Sequence, residues 1–563
     1  MGCLVRPPTV SGRVRAVTLV LLLLAAGGAP GHAAAGGGAV ATEHALAARA
    51  GADVLAAGGS AVDAAIAAAA AVCVVHPSSC GIGGGGLALV HLADGRDVAL
   101  DYRERAPAAV TAARYAPNGA PDPALSRTGG LAVGVPGEVA GWVALHDRFG
   151  RLPLAQVLAP AIRLARDGFA LSATPHLGRE IGRSATLLAA DPGLAAVFLD
   201  RDGKPPAADA VLRQADLART LEAIADDAGA GFYRGALAAA IVAAVQAHGG
   251  VLTTDDLAHY RPVWRKPLAG RLRGRRIVSY PPPGSGGIVL EALGMLTHDE
   301  PAVLGAGGAS WLHLLSGVLA QAFADRARFY GDPDFTPVPT AELLAPPRLA
   351  GLRARLSATR IVAPTAQIVP DAGTANVSVV NAQGDAVALT TTINTGFGAG
   401  LLVPGAGIVL NNEMDDFALA AGVANVYGLT GDDPNLVAAG KRPQSSMSPT
   451  IVLDRGRPEL VVGASGGPFI ISGIIQVILG VTAFGRDLPD AVALPRIHDQ
   501  GSPPVLAAEA GIDATARAAL TRLGHRIVDV PAVGAVSAAG LRPDRTPVAA
   551  GDFRKDGGAA VVP

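Results

Sequence analysis

The segment Pro370-Asp371-Ala372-Gly373-Thr374-Ala375-Asn376-Val377-Ser378-Val379-Val380 divides the chain into two parts of different character. Its polar beginning is typical of a loop, and the apolar alternation that follows predicts a strand. Helical patterns dominate the part before it, whereas short strand patterns and polar clusters follow it as far as Gly467. A Gly-Thr pair before a strand is usually only a turn, so spacing alone assigns no function to Thr374.

Composition excludes several classes of protein. The chain has 563 residues, enough for one large domain or for two or three smaller ones. Hydrophobic residues make up 50% and charged residues 17%, which favours a globular protein over a disordered one. With 46 basic and 47 acidic residues and no basic stripe, we expect no nucleic-acid partner. No Cys/His cluster has metal-ligand spacing, so we predict neither a metal nor a cofactor.

Residues 1–35 have the pattern of a secretory signal. A positively charged start, a short apolar run over residues 16–26 and small residues near Ala35 predict export and removal of this segment. The run is shorter than the ~20 residues of a membrane span, although a retained anchor is the alternative. Cys73 and Cys80 then remain, and the sequence leaves open whether they form a disulfide.

Two helices and a hairpin are predicted after this segment. Thr42 is expected to begin an Ala-rich helix that stops at Gly58-Gly59, and Ser60 to cap a second helix. Residues 87–92 and 98–102 alternate as a hairpin. Further helices are predicted over residues 154–166, 215–225 and 237–248 and after a capping Ser310.

A glycine run, residues 81–86, satisfies G-x-G-x-x-G. A dinucleotide site needs a strand before this motif and a helix after it. Here the predicted helix comes before and the strand comes after. We therefore reject a dinucleotide site and expect a close backbone passage where side chains do not fit.

An ordered series of motifs carries a family resemblance. The motifs are residues 43–47, 58–65, 81–86, 101–107, 135–141, 281–287 and 441–450. In this order they resemble the gamma-glutamyltranspeptidase family over essentially the whole chain after the signal. The resemblance implies an α+β fold, the N-terminal-nucleophile hydrolase αββα sandwich of two mainly antiparallel sheets flanked by helices. It also implies autocatalytic cleavage into a large fragment (36–373) and a small fragment (374–563) that stay together as one intertwined heterodimer.

By this resemblance Thr374 is the catalytic nucleophile. An α-amino group titrates near ~7.7–8.0 and can accept the hydroxyl proton of its own residue, so one Thr supplies both nucleophile and base. The uncut chain has only an amide there. Thr392 matches the residue that hydrogen-bonds the catalytic amine and hydroxyl. Gly466 and Gly467 match the glycines whose N–H groups stabilise the oxyanion.

Two further sets match the family's substrate-binding residues. The set for the substrate α-carboxylate is Arg103, Ser445 and Ser446. The set for the α-amino group is Asn394, Glu413 and Asp416. Together they favour a γ-glutamyl amide such as glutathione, with water or an amino acid as the acceptor. Tyr427 lies in a segment that matches a lid over the pocket.

Three alternatives remain open. A cephalosporin-type acylase of the same family would cleave glutaryl amides, which offer no α-amino group to Glu413 and Asp416. An α/β-hydrolase would use Ser465 as its nucleophile, because residues 463–467 fit G-x-S-x-G. Asp490 or Asp499, followed by His525, would then complete a Ser-Asp-His triad. The third is a non-catalytic relative that never matures.

The sequence departs from the family pattern at two places that concern the site. Ala375 and Asn376 follow the nucleophile where the family often has Thr and His, which puts the speed of processing in doubt. Pro468 and Phe469 follow the two glycines where a small polar residue and Arg are common. We expect them to reshape the edge of the pocket.

Overall fold

The computed structural model describes residues 1–2, 37–297, 305, 307–356 and 373–563. Almost all of the predicted signal segment and of the Pro/Thr-rich loop before Thr374 therefore lies outside the described residues. Strand β9 begins at Thr374 itself, as the sequence predicts.

The strands, in chain order, are β1 (Gly38–Thr42), β2 (Gly85–His91), β3 (Asp97–Tyr102), β4 (Phe169–Ala170), β5 (Val211–Leu212), β6 (Val263–Arg265), β7 (Leu268–Leu272), β8 (Arg275–Ser279), β9 (Thr374–Asn381), β10 (Ala386–Thr392), β11 (Leu402–Val403), β12 (Ile408–Val409), β13 (Thr450–Asp454), β14 (Arg457–Ser465), β15 (Ile497–His498), β16 (Leu506–Glu509), β17 (Ile527–Val530), β18 (Ala535–Leu541), β19 (Pro547–Ala550) and β20 (Gly558–Val562).

The helices are α1 (Ala45–Ala56), α2 (Ala61–Val75), α3 (Ala124–Arg127), α4 (Glu138–Phe149), α5 (Leu154–Asp167), α6 (Pro175–Arg183), α7 (Ala185–Ala190), α8 (Pro192–Phe198), α9 (Ala215–Asp227), α10 (Ala230–Tyr233), α11 (Ala236–Ala247), α12 (Thr254–Ala258), α13 (Gly286–Met295), α14 (Ala309–Phe329), α15 (Thr340–Leu343), α16 (Pro346–Arg355), α17 (Phe469–Thr482), α18 (Leu488–Ala493) and α19 (Ala514–Arg522).

Two antiparallel sheets form the centre of the described chain. One has the strand order β20-β1-β9-β10-β2-β3-β6, and the other has the order β19-β18-β14-β13-β8-β7. The sheets pack face to face, with β9 against β14 and β18. Between them the Ser378 hydroxyl donates to the carbonyl of Ser537 at 2.9 Å. At Gly463 an added Cβ would lie 2.0 Å from the Asn376 side chain, so only glycine allows this close approach.

Helices cover both outer faces. The Ala-rich helix α2 packs on β9 and β10, and all of its residues are buried. On the other side, α17 packs on β14 and β18, and α13 packs on β7 and β8. This is the helix–sheet–sheet–helix arrangement that the family resemblance implies, so the expected fold class is confirmed.

Most predicted elements are confirmed, with two corrections. A capping box starts α2, since Ser60 and Asp63 bond each other's backbone N–H groups at 2.9 and 3.0 Å. Thr42, however, ends strand β1, and α1 begins at Ala45 after the N-cap His44. Residues 38–42 form a strand because they pair with β9 and β20, and no local pattern predicts this pairing. Likewise α14 begins at Ala309, before the predicted cap Ser310.

One stretch among the described residues, Ala230–Ala247, has the length and hydropathy of a membrane span. In the structure Arg234 and Gly235 divide it into α10 and α11. Ile241 and Val245 of α11 are fully buried in the hydrophobic core. The stretch therefore contributes to the core of this fold.

Candidate active site

Thr374 and Thr392 face each other across the first register pair of β9 and β10. Their hydroxyl oxygens are 3.1 Å apart, and only 5% of Thr374 is exposed. The Thr392 hydroxyl also donates to the carbonyl oxygen of Gly373 at 2.6 Å and accepts from the N–H of Asn394 at 2.8 Å. Since this hydroxyl has one proton and gives it to Gly373, the Thr374 hydroxyl is the donor to Thr392.

Gly373 is a site residue that sequence reasoning missed. A Cβ at this position would lie 1.9 Å from the carbonyl oxygen of Asn394. Real Cβ atoms do not approach backbone this closely, so only glycine fits directly before Thr374. The sequence signal, a Gly-Thr pair before a strand, is also that of an ordinary turn.

Gly466 and Gly467 lie between the end of β14 and the start of α17. Their φ angles are +125° and +55°, a region that favours glycine. Within the described chain, neither N–H group donates a hydrogen bond. Two backbone donors beside the amino end of a helix suit a developing negative charge.

Tyr427 connects the glycine pair to Asn394, whose N–H group bonds the Thr392 hydroxyl beside Thr374. Its hydroxyl donates to the Asn394 carbonyl at 2.7 Å, and its ring lies 2.9 Å from the position of a Cβ on Gly467. Asn394 has φ +75°, which is uncommon for a residue other than glycine but tolerated by Asn. Its side chain donates to the Asn412 carbonyl at 3.0 Å, which brings it next to Glu413.

A buried group of charges follows β3. The Arg103 side chain is fully buried, and its two terminal nitrogens bond the carboxylates of Glu413 and Asp416. Despite burial, Glu413 and Asp416 raise the pKa of Arg103. Burial raises the pKa of Glu413 to about 7, against the opposing effect of Arg103. Burial also raises the pKa of Asp416.

Ser445 and Ser446 lie beside this group. Arg103 donates to the Gln444 carbonyl at 3.4 Å, next to Ser445, whose own hydroxyl accepts from the Met447 N–H at 3.1 Å. The Ser446 hydroxyl accepts from Arg326 on α14 at 3.3 Å. Burial lowers the pKa of Arg326 to about 10. Arg326 is thus a second buried cation at the site, and sequence reasoning assigned it no role.

Lys555, shortly before β20, is another residue that sequence reasoning missed. Its ammonium group donates to the carbonyl oxygen of Thr374 at 2.8 Å and to the Ser465 hydroxyl at 3.2 Å. It also pairs with Glu43 at 2.8 Å, and both side chains are almost completely buried. No local pattern predicts this contact, because about 180 residues separate Lys555 from Thr374.

The predicted Ser465 triad is not assembled in the described chain. Asp499 bonds the Ser316 hydroxyl at 2.6 Å, and His525 bonds His313 at 2.7 Å. Asp490 is exposed. Ser465 itself contacts Lys555 and has no hydrogen bond to any of these residues. The α/β-hydrolase alternative therefore lacks its acid–base partner.

One histidine–carboxylate group among the described residues has atoms close enough for a metal ion: His44, His76 and Asp556. Both ring nitrogens of His44 are engaged, with the Leu46 N–H at 3.1 Å and the Ala173 carbonyl at 2.8 Å. His76 bonds Asp556 at 3.3 Å. These bonds engage three of the four ring nitrogens of the two histidines, and we assign no metal to the cluster.

Comparison with known proteins identifies the family to which this chain is similar. The family model described as gamma-glutamyltranspeptidase matches residues 47–562. The glutathione hydrolase proenzyme of Escherichia coli (strain K12) is 37% identical over 490 residues, 85% of this chain and 84% of that protein. The acylase ACY 1 proenzyme of Pseudomonas sp. (strain SE83) is 38% identical over 495 residues, 86% of each chain.

The solved structures agree with the sequence comparisons. The crystal structure of cephalosporin acylase from Bacillus halodurans superposes with a TM-score of 0.83 and 31% identity, over 93% of this chain and 96% of that one. The family model and the relatives each extend over most of the chain, on both sides of Thr374. The chain belongs to the gamma-glutamyltranspeptidase family.

Proposed function

We propose that this chain is an autoprocessed γ-glutamyl amide hydrolase and transpeptidase that acts on glutathione and related compounds through a γ-glutamyl ester of Thr374. The main support for this proposal is the chain of hydrogen bonds that runs from the Thr374 hydroxyl through the Thr392 hydroxyl to the Gly373 carbonyl. The relatives named glutathione hydrolase proenzymes support the same activity. Acylases occur among the relatives too, so family membership alone does not distinguish a γ-glutamyl from a glutaryl substrate.

Processing is the first proposed step. The Thr374 hydroxyl oxygen attacks the Gly373 carbonyl carbon, the C–N bond to Thr374 breaks, and the nitrogen takes up the proton to become a free amine. Thr392 polarises the attacked carbonyl through its 2.6 Å hydrogen bond. Water then hydrolyses the ester, which leaves a carboxylate on Gly373 and an N-terminal Thr374.

The new α-amino group then serves as the base for amide cleavage. It takes the hydroxyl proton while the oxygen attacks the γ-carbonyl carbon of the substrate, and it returns the proton to the departing amine. The N–H groups of Gly466 and Gly467 are proposed to stabilise the oxyanion, an effect worth ~10²–10³ in rate per donor. Water or an acceptor amine resolves the ester.

The buried charges favour a γ-glutamyl substrate over a glutaryl one. Glu413 and Asp416 offer carboxylates to an ammonium group, and Asn394 connects them to the nucleophile through Asn412. Arg103 and Ser446, with Arg326 behind it, suit a carboxylate. A glutaryl group has no ammonium, so binding it would leave the buried carboxylate of Glu413 and the partly exposed one of Asp416 with Arg103 as their main cationic partner.

Both proposed fragments contribute to both sheets, which supports a stable heterodimer after cleavage. In the first sheet β9 lies between β1 of the large fragment and β10 of the small one, and in the second β13 pairs with β8. Separating the fragments would break these ladders and expose the sandwich core. We further propose export, with removal of residues 1–35, on the signal-like pattern of that segment.

The test combines processing with substrate choice. Purified protein is incubated at neutral pH and followed by intact mass and N-terminal sequencing, beside Thr374→Ala. We expect a fragment that begins Thr-Ala-Asn-Val-Ser in the wild type and an uncut chain in the variant. The mature protein should hydrolyse γ-glutamyl anilide and not glutaryl anilide. A wild-type chain that stays whole, or a preference for the glutaryl compound, would contradict the proposal.

A further inference from the structure

Arg326, in the last turn of α14, is a buried cation without a carboxylate partner. Only 4% of the residue is exposed, and no carboxylate oxygen of the described chain forms an ion pair with it. Its Nε donates to the Ser285 hydroxyl at 3.2 Å, and its Nη2 donates to the Ser446 hydroxyl at 3.3 Å. Because a buried charge held only by neutral hydroxyls is costly, this arrangement suits a site that receives an anion.

Arg103, by contrast, has no donor left for a ligand. A guanidinium group has five N–H donors, and each of those of Arg103 has an acceptor within the described chain. The acceptors are the carboxylates of Glu104, Glu413 and Asp416 and the carbonyls of Pro443 and Gln444. A substrate carboxylate has to displace one of them to bond Arg103, whereas only two of the five donors of Arg326 are engaged in the described chain.

Ser446 connects Arg326 with the group of charges at Arg103. The two arginines bond the same short segment, since Arg103 donates to the Gln444 carbonyl at 3.4 Å and Arg326 donates to the Ser446 hydroxyl. The Gln444 side chain also donates to the Arg326 carbonyl at 3.1 Å. The Ser446 hydroxyl donates to no acceptor of the described chain, so its proton is available to a ligand. A hydroxyl whose oxygen accepts from a guanidinium is a stronger donor to a carboxylate.

The charge of Arg326 also balances this group. Arg103 alone faces the carboxylates of Glu413 and Asp416, while burial raises the pKa of Glu104 and keeps this third carboxyl group neutral. The negative charge of Asp416 acts on Arg326 too and opposes the effect of burial on its pKa. With Arg326 the ionised groups are two of each sign, which suits a ligand that carries both an ammonium and a carboxylate. Without Arg326 the excess negative charge favours a ligand with an ammonium alone.

We propose that Arg326 is a specificity residue, which acts through Ser446 on the donor carboxylate and makes the site select amino-acid head groups over head groups with an ammonium alone. This inference rests on the proposed function and assigns one residue a part in its specificity. Arg326 is not a catalytic residue, because it acts on the head group of the donor and not on the amide that is cleaved. Its removal therefore changes which donor is bound more than it changes the chemical step.

The experiment compares two donors that differ only in the α-carboxylate, γ-glutamyl anilide and γ-aminobutyryl anilide. Hydrolysis of each is measured with matured protein at pH 8, and the ratio of the two kcat/KM values gives the donor preference. We expect the wild type to prefer the γ-glutamyl compound. Arg326→Met should lower this preference about tenfold or more, mainly through the KM of γ-glutamyl anilide, because hydrogen bonds to charged groups are strong. Arg326→Lys keeps the charge and should retain more of the preference than Arg326→Met.

Two further variants complete the test. Ser446→Ala removes the hydroxyl between Arg326 and the ligand and should lower the same preference, so it carries the comparison if Arg326→Met does not mature. The matched control is Arg328→Met, which removes an exposed Arg from the same helix and should keep the wild-type preference.

The outcomes separate this inference from the proposed function. An equal loss of activity toward both anilides in Arg326→Met and in Ser446→Ala would show a merely structural role and overturn the inference, while the proposed function stands. A wild type that hydrolyses neither anilide would instead refute the proposed function.

Discussion

The hydroxyl of Thr392 donates a 2.6 Å hydrogen bond to the carbonyl oxygen of Gly373. The same hydroxyl accepts from Thr374 and from the Asn394 N–H. One side chain at the end of β10 thus polarises the peptide bond that is proposed to be cut and also orients the hydroxyl proposed to cut it. The fold therefore positions both the Gly373 carbonyl and the Thr374 hydroxyl before any cleavage occurs.

Thr392→Val should slow processing by ~10²–10³, the usual effect of removing one donor to a developing oxyanion. The isosteric methyl keeps the packing of the strand and removes the bond to Gly373. Conversion of the single chain into two fragments, followed over time by intact mass, gives the rate. Thr392→Ser keeps the hydroxyl and should process at a rate near that of the wild type. A Val variant that matures equally fast would contradict the role of Thr392.

Gly373→Ala should slow processing by at least ~10²-fold, because a Cβ 1.9 Å from the Asn394 carbonyl forces the scissile bond out of position. The processing rate is measured by the same intact-mass time course. Gly182→Ala on α6, where an added Cβ meets nothing within 4 Å, is the matched control. Normal maturation of the Gly373 variant would show that the local backbone differs from the one described.

Lys555→Met should destabilise the protein by ~3–5 kcal/mol, because it leaves the buried carboxylate of Glu43 without its ammonium partner. Urea unfolding at pH 7 measures the loss. Glu43→Gln keeps an acceptor for the Asn376 N–H and removes the charge. The double variant should therefore recover much of the stability. Equal losses in the single and double variants would argue against the ion pair as the cause.

Donor binding should weaken as the pH falls through about 7. Burial raises the pKa of Glu413 to about 7, so this carboxylate loses its charge below that pH and no longer attracts the substrate ammonium. We expect the donor KM to rise roughly fivefold from pH 8 to pH 6. Glu413→Gln should have a raised KM throughout and lose most of this rise. A wild-type KM that stays constant over the window would exclude Glu413 as the titrating group.

Cys73 and Cys80 should resist thiol reagents in the native protein. Both side chains are buried with their sulfur atoms 2.6 Å apart, and burial raises the pKa of each thiol. We expect no reaction with a chromogenic disulfide reagent at pH 8 before unfolding. The number of thiols released by denaturant then distinguishes free thiols from a disulfide, with Cys73→Ser as the reference. Rapid labelling of the native protein would contradict the burial.

Periodic patterns and local caps were sufficient to locate the hairpin after the glycine run and six of the described helices, namely α1, α2, α5, α9, α11 and α14. Ser60 correctly predicted the start of α2. Thr42 was wrongly predicted to begin a helix, because it ends β1, a strand that depends on pairing with β9 and β20. The order of motifs pointed to the family. Among the candidate site residues, the structure brings Thr374, Thr392 and Asn394 together, and it gathers Arg103, Glu413 and Asp416 into a second group.

From local periodicity the sequence by itself predicted the strand that begins at Thr374. The class of fold and the residues proposed for the amino-acid pocket were implied by the family resemblance that the ordered motifs carry. Only the tertiary structure decided that Gly373 must be glycine and that Lys555, paired with Glu43, bonds the first residue of β9. The physical reason is that each of these contacts joins segments far apart in the chain. Their distances depend on how two sheets and their helices pack, which no local pattern encodes.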